Sequence, residues 1–144
     1  MTEEQNKIPI WFWIAVSFLL IWNLMGVGNF FQHITMTDEA LLAMPENERE
    51  LYNNFPWWVL IAFGLAVFGG SLGSIALFFK KKIAKPLFVI SLIGIVVQMG
   101  HSLFIANAMD VYGMFAVVLT ILLIVLGVFA IWLTNYSVAK NWIN

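Results

Sequence analysis

The chain has 144 residues, 62% hydrophobic and only 10% charged, with a formal net charge of −1 and a mean hydropathy of +0.90. That composition excludes a soluble globular domain and a nucleic-acid binder, and it reads as a polytopic membrane protein. The absence of cysteine further excludes disulfides, thiolate metal sites and thiol redox chemistry.

A membrane-crossing helix needs about 20 apolar residues. Four runs of this kind are present, at residues 9–31, 56–79, 86–106 and 111–134, leaving 32–55 as the one sizeable loop. Their length argues against a transmembrane β-barrel, whose strands read as alternating segments of about ten residues. The expected architecture is all-α, a single antiparallel four-helix transmembrane bundle with a short helical loop on its outer side. The first run is not expected to be a cleaved signal. It is too long, Glu3 and Glu4 stand beside Lys7 ahead of it, and no small-residue cleavage motif follows.

In the first span, Asn23, Gly26, Asn29 and His33 fall on one arc of about 120° at 100° per residue. The loop behind it contains two helix-start signals: Thr37 as N-cap ahead of Asp38 and Glu39, and Pro45 at a first helical position ahead of Glu46 and Glu48. Two short amphipathic helices are predicted there, with Leu41, Leu42, Leu51 and Tyr52 resting on the mouth of the bundle. The second span carries Ala62, Ala66, Gly69, Gly70, Gly73 and Ser74 within roughly 140°, a small-residue stripe that lets helix backbones approach closely.

Four lysines, Lys80, Lys81, Lys82 and Lys85, fill the short link to the third span. There Ser91, Gly94, Gln98, His101 and Ser102 share an arc of about 100°. An unpaired amide facing hydrocarbon costs several kcal/mol, so both polar stripes are expected to face inward. Asn23 and Gln98 each fall within about 5 Å of the midplane, which predicts a hydrogen bond between them worth roughly 0.6 kcal/mol. His101 lies about one turn further out, and His33 is separated from it in depth by roughly 10 Å. The fourth span repeats small residues in heptad spacing, with Gly113, Ala116, Thr120, Gly127, Ala130 and Thr134 on an arc of about 100°.

Basic residues set the expected orientation. Lys7, the lysine link and Lys140 share one side, while Arg49 is the sole arginine among Asp38, Glu39, Glu46, Glu48, Glu50 and Asp110 on the other. By the positive-inside rule both termini are cytoplasmic and the protein is a multi-pass resident of a bacterial inner membrane. Trp11, Trp13, Trp57, Trp58 and Trp132 sit where interfacial aromatic belts belong. The lysines would attract anionic lipid at about 1 kcal/mol per residue, though such a run more commonly only sets topology.

His101 has two readings, a proton-relay residue or a neutral histidine bonded to Asn29 or a carbonyl, and the second is preferred. A shared haem is disfavoured by the depth difference between His33 and His101. No ligand spacing supports a metal site of His33 with Asp38 or Glu39, and no cofactor is expected. The spans hold no Asp, Glu, Lys or Arg to couple protons, and no activated nucleophile or phosphate loop marks an enzyme.

The segments WNLMGVGNFFQ, PWWVLIAFGLAVFGGSLGS and KPLFVISLIGIVVQMGH resemble a group of small four-span bacterial inner-membrane proteins, an uncharacterised family whose members are sometimes labelled "sugar transporter". The resemblance implies the same four-span fold and transfers no site residues. Two functional readings follow. In the preferred one the chain is a non-enzymatic interaction or accessory bundle, in contact with lipid and with a homo-oligomeric or membrane-protein partner, and its polar stripes serve packing. In the other, Asn23, Asn29, Gln98, His101 and Ser102 line an outward-facing pocket for a small polar or amphipathic ligand, while Gly69, Gly70, Gly73 and Ser74 serve helix packing.

Overall fold

The computed structural model describes residues 7–144, so Glu3 and Glu4 lie outside the described residues. Among these all regular structure is helical: α1 (Ile10–Ile34), α2 (Asp38–Ala43), α3 (Glu46–Asn53), α4 (Trp57–Phe78), α5 (Ala84–Gly100) running into a π-helical turn (His101–Ile105), α6 (Ala108–Tyr112) and α7 (Met114–Ala139). Four of these stretches, α1, α4, α5 with its π turn, and α7, are long and apolar enough to cross a membrane. The protein is therefore an all-α, multi-pass membrane bundle with a helical loop between the first and second spans.

Prolines mark where helices begin. Pro9, Pro45 and Pro56 each sit in an extended conformation directly before α1, α3 and α4. Pro45 thus caps α3 and does not open it, a one-residue shift that leaves Glu46 and Glu48 in the first turn. Pro86 is tolerated inside the first turn of α5 because amides there have no partner within the helix. Thr37 caps α2, its hydroxyl accepting from the Ala40 amide at 3.2 Å.

Two helices stop at the lysine-bearing end by the same device. Lys80 and Asn141 adopt positive φ, and the following amides, of Lys81 and Trp142, donate back to Ala76 at 2.8 Å and Ser137 at 2.9 Å. The two stops lie side by side: the Lys82 amide donates to the Asn144 carbonyl at 2.7 Å and the Asn144 amide to the Lys80 carbonyl at 3.0 Å. This folds Trp142 and Ile143 under the bundle, where they join a core of Phe12, Val16, Leu77, Phe88 and Leu133. Rings of Trp11, Tyr136 and Trp142 meet pairwise at 5.4 to 5.9 Å. The basic end is closed.

In the bundle α4 is central, packed against α1 on one side and α5 on the other, and α5 packs in turn on α7. Of the most apolar stretch of α4, 56% is buried, against 17% for α1 and 11% for α7, so the two outer helices face lipid. Every member of the α4 small-residue stripe is buried. A Cβ on Gly94 of α5 would meet the Ala62 carbonyl oxygen at 2.5 Å, and one on Gly69 would meet that of Leu87 at 3.0 Å. Ser91 Oγ crosses the same seam, donating to the Ala66 carbonyl at 2.5 Å. On α7, Ala116, Thr120, Ala130 and Thr134 are buried and Gly127 faces Leu92 of α5. Gly113 stands outside the helix, linking α6 to α7 at φ 62° and ψ −144°. The helices α1 and α7 close on each other at the basic end but not beyond it, and the space between them becomes the site.

Candidate functional site

Small residues and the divergence of α1 from α7 leave an inner chamber of about 270 Å³ halfway along the bundle. Its walls are Trp22, Asn23, Met25 and Gly26 from α1, Val67 and Gly70 from α4, Ile95 and Gln98 from α5, and Leu119, Leu123 and Leu126 from α7. Hydrocarbon dominates this lining. Met25, on the α1 rim, is 62% exposed, so the chamber opens sideways between the two outer helices.

Asn23 and Gln98 both reach this chamber, yet the predicted hydrogen bond between them is not formed. Asn23 Nδ2 donates to the Leu19 carbonyl of its own helix at 2.8 Å. Its amide lies against Gly70, where any Cβ would collide with it. The reason is the order of the helices: α4 stands between α1 and α5, and the missing side chain of Gly70 accepts the amide before it can cross.

A second chamber of about 370 Å³ lies at the acidic end. Here α1 supplies Asn29, Gln32 and His33, α3 supplies Glu48, Leu51 and Tyr52, the π turn supplies His101 and Ser102, and Tyr112 comes from α6. Asn29 lines both chambers. They adjoin through it; the inner one also carries Asn23, Ser91 and Gln98, and the outer one carries both histidines and the Glu48 carboxylate.

The π turn aims His101. Its carbonyl accepts from the Ala106 amide at 2.8 Å, five residues on, and the chain then reverses at Asn107 with φ 55°. The imidazole is 7% exposed and stands edge-on to Trp58 at 5.3 Å and 89°. Its Nδ1 is buried with no hydrogen-bond partner, so on this nitrogen the expected bond to Asn29 or to a carbonyl is absent. His33 packs at 4.4 Å from Tyr52 and 4.6 Å from Phe55, and the Tyr52 hydroxyl donates to its carbonyl. Both histidines therefore line one chamber, with the Phe55 ring touching each. Counting depth along the axes separated them because it omitted α3, whose Glu48, Leu51 and Tyr52 complete the walls of a common space.

The loop helices meet the chamber through α3. Leu51 and Tyr52 rest on the mouth as expected, whereas Leu42 of α2 is 70% exposed and turns away. Glu48, Tyr112 and Phe55 were not singled out from the sequence. Glu48 was findable, since residues 48, 51 and 52 share a helical face. The Tyr112 phenol titrates above its ordinary value of 10.0, first because of burial and then because of the Glu48 carboxylate, and both side chains line this chamber. Among the described residues no three His, Asp or Glu side chains converge as a metal site would require.

Chemically, the arrangement offers a mainly apolar compartment beside one that carries two histidines, two tyrosines and one carboxylate. Comparison with known protein families, curated proteins and solved structures found no match to this chain.

Proposed function

We propose that this chain is a non-enzymatic binding protein of the bacterial inner membrane that holds a small amphipathic molecule. Its polar part would occupy the outer chamber and its apolar part the inner one. The observation that carries this reading is the pair of adjoining chambers, the outer one holding two histidines, two tyrosines and a carboxylate and the inner one lined mainly by apolar side chains at mid-bundle. Chambers of this size approach the range of about 300–1,000 Å³ typical of small-molecule sites. The lysine-bearing end is read as cytoplasmic from the charge asymmetry, which turns the acidic mouth outward.

A second reading, an accessory bundle that self-associates, is favoured by the lateral gap and by how little of α1 and α7 is buried within one chain. Native mass spectrometry of protein released gently from membranes separates the two. The binding reading expects a monomer carrying a stoichiometric small molecule, lost in Leu123→Trp, which fills the inner chamber, while the helical content survives. An oligomer with no bound molecule in any preparation would overturn it.

A further inference from the structure

Resting on the binding reading above, we infer that the polar part of the ligand is a protonated amine. Glu48 supplies the countercharge, the rings of Tyr52, Phe55 and Tyr112 surround it, and His101 Nδ1 accepts its N–H.

The lining of the outer chamber contains neither lysine nor arginine. Arg49, the one arginine of the acidic side, directs Nη2 to the Met44 carbonyl at 3.3 Å and lies on a different face of α3 from its neighbour Glu48. An anionic head would find no countercharge in the chamber. An ammonium would find a half-buried carboxylate together with aromatic rings, which attract cations through their electron-rich faces. The Tyr52 hydroxyl is already committed to the His33 carbonyl, leaving its ring as the available surface.

His101 provides the second, independent indication. A buried nitrogen with no partner is costly to leave unsatisfied, and Nδ1 of a 7% exposed imidazole is such a group. In the neutral ring one nitrogen carries a lone pair. Nδ1 has almost no accessible surface in this structure, so an ammonium N–H satisfies its lone pair once the ring turns it toward the chamber that His101 and Glu48 both line. Approach is favoured as well, because the helices α2, α3 and α6 at this end carry Asp38, Glu39, Glu46, Glu50 and Asp110 against the single cation Arg49. The tail the amine carries is set by the inner chamber: alkyl or aryl, and uncharged.

The test uses the whole chain in dodecyl maltoside micelles, with octylammonium, octanoate, octanol and octyltrimethylammonium as probes of equal tail length. Binding is read by thermal stabilisation and by mass. The expected result is that octylammonium binds and octanoate does not, with Glu48→Gln weakening octylammonium by at least about tenfold. Because Glu48 sits on a short outer helix, this variant tests the charge without disturbing the spans. His101→Phe should weaken octylammonium and leave octyltrimethylammonium, which has no N–H, unaffected. Equal binding of octylammonium, octanoate and octanol, with no effect of Glu48→Gln, would overturn the amine inference and leave the amphiphile reading standing. Failure of every probe to bind the wild-type chain would overturn both.

Discussion

Gly94 and Gly28 show how different two glycines of one bundle can be. A methyl group at Gly94 would press on the Ala62 carbonyl and on the Ala66 amide, at 2.5 and 2.8 Å, both rigid backbone. Gly94→Ala should therefore push α4 from α5, lose the Ser91 hydrogen bond and destabilise the bundle by about 1–3 kcal/mol. At Gly28 nothing lies within 4 Å, so Gly28→Ala should be neutral or stabilising by up to about 1 kcal/mol, through helix propensity alone. Thermal unfolding of the two variants in the same detergent gives the comparison, and equal effects would mean that the α4–α5 seam is less tight than described. A second prediction at this scale concerns Tyr112. Removing the neighbouring carboxylate in Glu48→Gln makes the phenolate easier to form, so its pKa falls. It stays above 10.0 because burial, the larger cause, remains. The Tyr112 ¹³Cζ shift followed against pH reads this directly, and an unchanged midpoint would place Glu48 away from the phenol. Single residues were only partly legible in the sequence. That Asn23 turns inward followed from its arc, but its partner did not, because pairing depends on which helix stands next to α1.

Helices and turns were legible where their signal is periodic or covalent. The small-residue stripe of α4 and the prolines ahead of α1 and α4 could be read directly, since spacing and the missing amide have few alternative meanings. The π turn could not. It breaks the 3.6-residue count on which every arc was drawn, and nothing local in GHSLFIAN announces it. Gly113, counted into the fourth span's stripe, instead separates two helices at a backbone conformation open almost only to glycine. Gly113→Ala is accordingly expected to cost about 1–3 kcal/mol, although a Cβ there would touch nothing within 4 Å. Unfolding in detergent that shows no loss would mean that the α6–α7 junction readily adopts another geometry.

Across the whole molecule, hydropathy and charge carried the reading furthest: four spans, a helical loop and a lysine-rich end opposite an acidic one. The chambers were not legible. They exist because α1 and α7 separate above the closed end, a property of helix arrangement that no single stretch encodes. Charge asymmetry also makes a prediction. Replacing Lys80, Lys81, Lys82 and Lys85 with Gln removes most of the bias and should give a population of mixed orientation. Single cysteines placed at residues 47 and 140 and labelled from one side report it without background, since the chain has none of its own. Uniform labelling would assign orientation to other residues.

The sealed end of the bundle decides what kind of device this can be. Trp11, Tyr136 and Trp142 sit over a core that includes Phe12 and Leu133, so a molecule in the chambers has no path through this end and leaves by the acidic mouth or sideways between α1 and α7. Carrying the molecule through would require separating those three rings and freeing the paired backbone of Lys80, Lys82 and Asn144. A variant that loosens Trp142 is the place to look for leak through the basic end.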